Sequence, residues 1–153
     1  MNLRASIEEK YKEAIKSKNL EKANTLRLIK SAIKNKDIEN RTKESNNEIN
    51  NNQIMALLQN LIKQRKDSIE SFKTASRDDL IDKEQFEIAW ISQFLPKQLN
   101  EMETEEIIKE MIKKQSFSSL KDMRSLIDNL KSEYAGSIDM VMAGKIAKLI
   151  LNN

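Results

Sequence analysis

The 153-residue chain has no cysteine and no histidine, two glycines and one proline. Each absence removes a class of chemistry or fold. Without cysteine there is no disulfide, no thiol nucleophile and no thiolate metal ligand. Without histidine the Ser-His-Asp and Cys-His arrangements and imidazole zinc sites go as well. Two glycines are too few for the phosphate-cradling loops of dinucleotide-binding or P-loop enzymes. With a single proline they are also too few for the turns that a β-rich chain of this length needs. No apolar run is long enough for a signal sequence or a membrane span, which predicts a cytosolic protein without membrane contact. Carboxylates, lysines, tyrosines and hydroxyls remain for chemistry. Helix remains for architecture, so the expected fold class is all-α and multihelical.

What is present fits that outline. Hydrophobic residues are 39% of the chain and charged residues 33%, a mix suited to thin helical bundles with long solvated faces. The formal charge of +3 is unevenly spread. Nine basic residues lie between Lys10 and Lys36, opposed only by Glu13 and Glu21, whereas residues 94–153 carry nine of each sign. The first helical hairpin is therefore the electropositive part of the molecule.

Apolar periodicity predicts seven helices. The first runs over 6–18, where Ser6 and Glu9 have capping-box spacing and Ile7, Tyr11, Ala14 and Ile15 share a face. Asn19 caps the second, whose stripe of Ala23, Leu26, Ile29 and Ile33 reaches about residue 40. The polar, Asn-rich stretch 40–52 predicts a mobile loop. The third helix, 51–75, carries Ile54, Leu58, Leu61, Ile69 and Phe72, with Arg65 where an apolar residue belongs. After a break at 76–79, Asp78 or Asp79 is expected to cap a fourth helix bearing Leu80, Ile81, Ile88 and Ile91. Pro96 disfavours helix at Leu95 and lacks a backbone donor. It sets the expected boundary between an N-terminal four-helix lobe, 1–94, and a C-terminal three-helix lobe, 95–153. Helices over 101–115 and 119–133 follow, Gly136 ends the second of these as a left-handed residue, and Asp139 caps the last.

Arg27, Lys30 and Lys34 stand at i, i+3 and i+7, on one face of the second helix. Such a row is either a solvated face or a track for phosphates. Tyr11, Trp90 and most phenylalanines sit on or beside apolar stripes, so nucleic-acid recognition would rest on shape and backbone, not on stacking. Arg65 reads as a structural ion pair with Glu84, or as bound to a helix C-terminus; the alternative is a phosphate contact together with Lys63 and Lys66. Glu84 and Glu87 as an acid/base pair, and Asp78, Asp79 and Asp82 as Mg²⁺ ligands, are weaker readings than ion pairing and helix capping. No catalytic residue, metal or cofactor is expected.

The segment KQRKDSIESFKTASRDDLIDKEQFEIAWISQFLPKQL at 63–99, with TLRLIKSAIKNKDIE at 25–39, resembles the YqeY family of small bacterial proteins. That family is similar to the C-terminal helical and tail region of the B subunit of the Glu-tRNA(Gln)/Asp-tRNA(Asn) amidotransferase. The resemblance runs from about residue 7 to 151. It is carried by Arg27, Lys30, Ser31 and Ala32, by Lys63-Gln64-Arg65 with Asp67-Ser68, by Arg77 with Asp79-Leu80, and by Lys83-Glu84, Glu87-Ile88 and Leu95-Pro96. Two departures stand out. Ser76 replaces the usual glycine, and the stretch from Tyr134 to Asp139 lacks the Lys-Gly-Arg many members carry. The resemblance implies a tRNA-binding accessory module, because the amidotransferase region grips the outer corner of tRNA. Expected contacts are Arg27, Lys30, Lys34, Lys63, Lys66 and Arg77, with Lys145 and Lys148 on the tail lobe. It also implies an alternative, a carbon–nitrogen ligase activity with glutamine as amido donor, exerted with an amidotransferase or other protein partner; a further alternative, read from the helical lobes and the basic hairpin, is a protein–protein adaptor that meets an acidic partner. The missing thiol and the missing Ser-Lys and nucleotide-binding frames argue against chemistry by this chain alone.

Overall fold

The computed structural model describes residues 2–41 and 48–152. Among them are seven α-helices and no strand: α1 (Leu3–Lys16), α2 (Leu20–Glu39), α3 (Asn51–Thr74), α4 (Asp78–Ser92), α5 (Glu101–Gln115), α6 (Met123–Glu133) and α7 (Met140–Leu151). The chain is all-α. It divides into two compact units, Met1–Leu95 and Pro96–Asn153. Of the expected loop 40–52, residues 42–47 lie outside the described residues.

In the first unit α1 begins earlier than the Ser6–Glu9 spacing suggests. Asn2 is the cap, its side chain accepting from Ala5 N. The reason is tertiary. The Arg4 guanidinium grips Asp37 at the end of α2 through two hydrogen bonds of 2.8 and 3.0 Å and also donates to the Ile49 carbonyl. Asp37 in turn accepts from Ile49 N at 2.9 Å. This node fixes the start of α1 against the end of α2 and the approach to α3. Asn19 caps α2, and Ala23, Leu26, Ile29 and Ile33 are buried. On α3 the buried set is Ile54, Leu58, Ile62 and Ile69; Ile62 takes the core place assigned to Leu61, which packs beside it half-buried. Neither Asp78 nor Asp79 caps α4. The cap position is Arg77, without a side-chain bond, and both aspartates lie in the first turn, where their charge favours the positive end of the helix dipole.

The second unit packs α5, α6 and α7 around Ile108, Met111, Leu126, Leu130, Ile138, Ala143, Ala147 and Leu151. Asn100 and Glu103 form a capping box on α5. A short 3₁₀ turn, Leu120–Asp122, precedes α6 where continuous helix was expected from 119. Gly136 has φ 77°, and Asp139 caps α7 through Val141 N and Met142 N. Leu99 N donates to the Ser137 carbonyl at 2.9 Å, fastening the segment before α5 to the turn before α7.

Candidate nucleic-acid interface

The α1–α2 hairpin carries the basic row, and the structure gives its members different surroundings. Lys30 forms a 2.9 Å ion pair with Glu8 and lies 4.2 Å from the centre of the Tyr11 ring. The ammonium holds the exposed Glu8 carboxyl below its ordinary value, chiefly by hydrogen bonding. Arg27 donates to Asn24 Oδ1 at 3.0 Å and to the Tyr11 hydroxyl at 3.3 Å, but it has no ion-pair partner among the described residues. Lys34 is exposed and makes no ion pair among the described residues. Lys22 sits 4.1 Å over the Trp90 ring. The rings near this surface are thus taken by the protein's own cations. The sequence pattern missed Tyr11 and Glu8 as neighbours of the row, although Tyr11 faces α2 from its place in the α1 apolar stripe.

The remaining expected contacts stand on other elements. Lys63 and Lys66 are exposed on α3. Arg77, between α3 and α4, is held by Asp79 at 3.2 Å, which keeps the Asp79 carboxyl below its ordinary value. In the second unit Lys145 and Lys148 are exposed on α7, a helix without an acidic residue. A Cβ placed on Gly144 beside them meets nothing within 4 Å.

Arg65 is a buried structural cation, but its partner is Glu87, not Glu84. Its Nε donates to Glu87 Oε2 at 2.7 Å, and Nη1 donates to the Leu61 carbonyl at 3.0 Å. Both side chains are nearly buried, 12% and 11% exposed. Glu87 lies one turn before the fully buried Ile91 on the face of α4 that meets the core, whereas Glu84 is a turn further out. No group of three or more metal-ligating side chains occurs among the described residues.

Beside this pair, α2 and α4 enclose a cleft of about 680 Å³. Leu28 and Phe86 provide apolar wall, Glu87 lines the interior, and Arg27, Lys83 and Asp82 are also in the lining. Sequence reasoning did not find it, because its two sides come from segments distant in the sequence, 21–31 and 79–87.

Fold and surface together define a class: an all-helical chain of two units, with a basic helical hairpin and a carboxylate-lined cleft in the first. The chain belongs to the Yqey-like protein family, whose model matches residues 4–151. An uncharacterized protein of Schizosaccharomyces pombe is 36% identical over 95 residues, 62% of this chain and 73% of that protein. The mitochondrial protein named altered inheritance of mitochondria protein 41 is similar in several fungi. The Vanderwaltozyma polyspora protein is 26% identical over 93% of this chain and 79% of its own length. The Eremothecium gossypii protein is 32% identical over 60% of this chain and 48% of its own length. These names overturn the expectation of a cytosolic protein: the named relatives are mitochondrial. They are also fungal, so they lend no support to the expected bacterial character.

Proposed function

We propose that this protein is a tRNA-binding accessory module, non-catalytic by itself, that grips RNA phosphates with the α1–α2 hairpin. One observation carries the reading. Of the nine basic residues from Lys10 to Lys36, Lys10, Lys30 and Lys36 are ion-paired, to Glu13, Glu8 and Glu39. Lys16, Lys18, Lys22, Arg27 and Lys34 form no ion pair among the described residues, and Lys12 acts on the Glu8 carboxylate only through its charge. They stand on two helices and, for Lys18, on the tight turn that joins them, so the positive surface is rigid. Neutralising phosphates with such cations releases condensed counterions, and this supplies most of the sequence-independent affinity. The similarity to the tRNA-gripping region of the amidotransferase adds weight. It also nominates α7, with Lys145 and Lys148, as a second contact. Filter binding of total tRNA at two salt concentrations tests the reading. Micromolar binding that weakens steeply with salt supports it; no binding at low salt contradicts it and leaves the adaptor alternative.

A further inference from the structure

The second unit leaves much apolar surface open for its size. Met102 on α5 is 72% exposed, and Val141 and Leu149 on α7 are 58% and 71% exposed. They are three of the four most exposed large apolar side chains among the described residues. All three belong to a unit that spans only Pro96–Asn153, and a core that small gains from association. The two helices differ in charge. On α7, which has no acidic residue, Lys145 and Lys148 are exposed on the face of Val141 and Leu149, at i, i+4, i+7 and i+8. Neither lysine forms an ion pair among the described residues. The first half of α5 is the opposite. Glu101 and Glu106 are exposed to either side of Met102 and form no ion pair among the described residues, while Lys109 is tied to Glu105 at 3.1 Å. Gly144 lies at the edge of the α7 face, one turn from both Val141 and Lys148. Glycine inside a helix carries a conformational cost, offset where a neighbour needs the space. Here a Cβ would meet nothing within 4 Å, so the position is a notch that none of the described residues fills.

We propose that the outer faces of α5 and α7 join two copies of this chain in a two-fold symmetric contact. Met102 of each copy enters the notch over Gly144 of the other, and Glu101 and Glu106 face Lys145 and Lys148. Two-fold symmetry uses each face once in each direction, since α5 of one copy meets α7 of the other and the reverse. Methionine suits an irregular gap of this kind, and the opposed charges set partner and register. An RNA contact through Lys145 and Lys148 uses the cations alone and leaves Val141 and Leu149 in water, whereas the contact between copies covers both. The inference does not rest on the tRNA reading.

Sedimentation velocity of the full chain at rising concentration, without RNA, tests this. The expected result is a reversible dimer by about 100 μM chain, the weak range of a small interface, that retreats toward monomer at high salt. Lys145→Glu/Lys148→Glu and Glu101→Lys/Glu106→Lys should each raise the midpoint concentration by about tenfold or more. An equimolar mixture of the two variants should restore association, because each copy then offers the charge that the other lacks. The mixture also controls for folding, since a misfolded variant is not rescued. Gly144→Met, which fills the notch, should weaken the dimer without lowering the thermal midpoint of the dilute monomer. A chain that stays monomeric throughout overturns the proposal. So does a dimer that the charge reversals leave unmoved, that the mixture fails to restore, or that Gly144→Met leaves undisturbed. Reversal of Lys145 and Lys148 that abolishes tRNA binding with sedimentation unchanged assigns the face to RNA and sinks the dimer with the tRNA reading intact. A charge-sensitive dimer in a chain that binds no tRNA supports the proposal and sinks the tRNA reading alone.

Discussion

Arg65 interrupts an apolar stripe, and a guanidinium in that place is tolerable only with a partner. The partner assignment is directly testable. Glu87→Ala should cost about 3–5 kcal/mol in urea unfolding, because it strands a buried cation. Glu84→Ala should stay within about 0.5 kcal/mol, as outer substitutions do. Equal losses would contradict the pairing. Replacing both members, Arg65→Met with Glu87→Leu, should recover much of the loss. The anomaly at Arg65 was legible in the sequence, but the choice between two glutamates one turn apart was not. That choice depends on how α4 lies against α3, which no local pattern encodes. Asp37 gives a second test at this scale. The Arg4 hydrogen bonds, helped by the Ile49 backbone N–H, hold its carboxyl below the unperturbed 3.8 despite partial burial. A carboxyl with a lowered folded pKa stabilises fully above its unfolded value and loses that contribution as pH falls through the folded one. The Tm advantage of the wild type over Asp37→Asn should therefore be flat from neutrality down to about pH 4 and shrink below it. An advantage that grows on acidification would contradict the assignment.

A chain with two glycines must end most of its helices without one. Three of them, α1, α3 and α5, close in the same way, with Lys18, Ser76 and Ser116 at φ 56–57°. In each the next residue's N–H reaches back five positions: Asn19 to Ala14, Arg77 to Phe72, Phe117 to Ile112. The left-handed residue at that position is ordinarily glycine, since other residues bear a steric cost there. The left-handed backbone at 76 is the geometry that suits the glycine expected there from the family resemblance, and Ser76 adopts it at a steric cost. Ser76→Gly should raise stability by roughly 0.5–1 kcal/mol, visible as a higher urea midpoint at constant slope. A lower midpoint would contradict the backbone assignment. At this scale the sequence was largely readable: Asn19 and Asp139 are caps, and the α2 stripe is buried throughout. The failures share a cause. Ser6…Glu9 has capping-box spacing inside a helix whose true start is set by Arg4 reaching residues 37 and 49. Asp78 and Asp79 look like caps, but the left-handed turn at Ser76 already places Arg77 at the cap position.

Across the whole molecule, the charge asymmetry was the feature most open to sequence reading and the cleft the least. A run of cations needs only counting, whereas a cleft needs two distant segments brought side by side. Counting also overstated the row, since Lys30 is spent on Glu8. Arg27 and Lys34 should then dominate its contribution to tRNA binding. The most direct test measures tRNA affinity against salt for the wild type, for Arg27→Ala/Lys34→Ala, and for Lys145→Ala/Lys148→Ala. Each phosphate contact on a duplex contributes about 0.9 to the log–log slope. The first double variant should flatten the slope by about 2 and weaken binding to every tRNA alike, with folding unchanged. An unaltered slope and affinity for that variant, alongside a loss for Lys145→Ala/Lys148→Ala, would show that α7 reads the RNA and that the hairpin charge is only a solvated face.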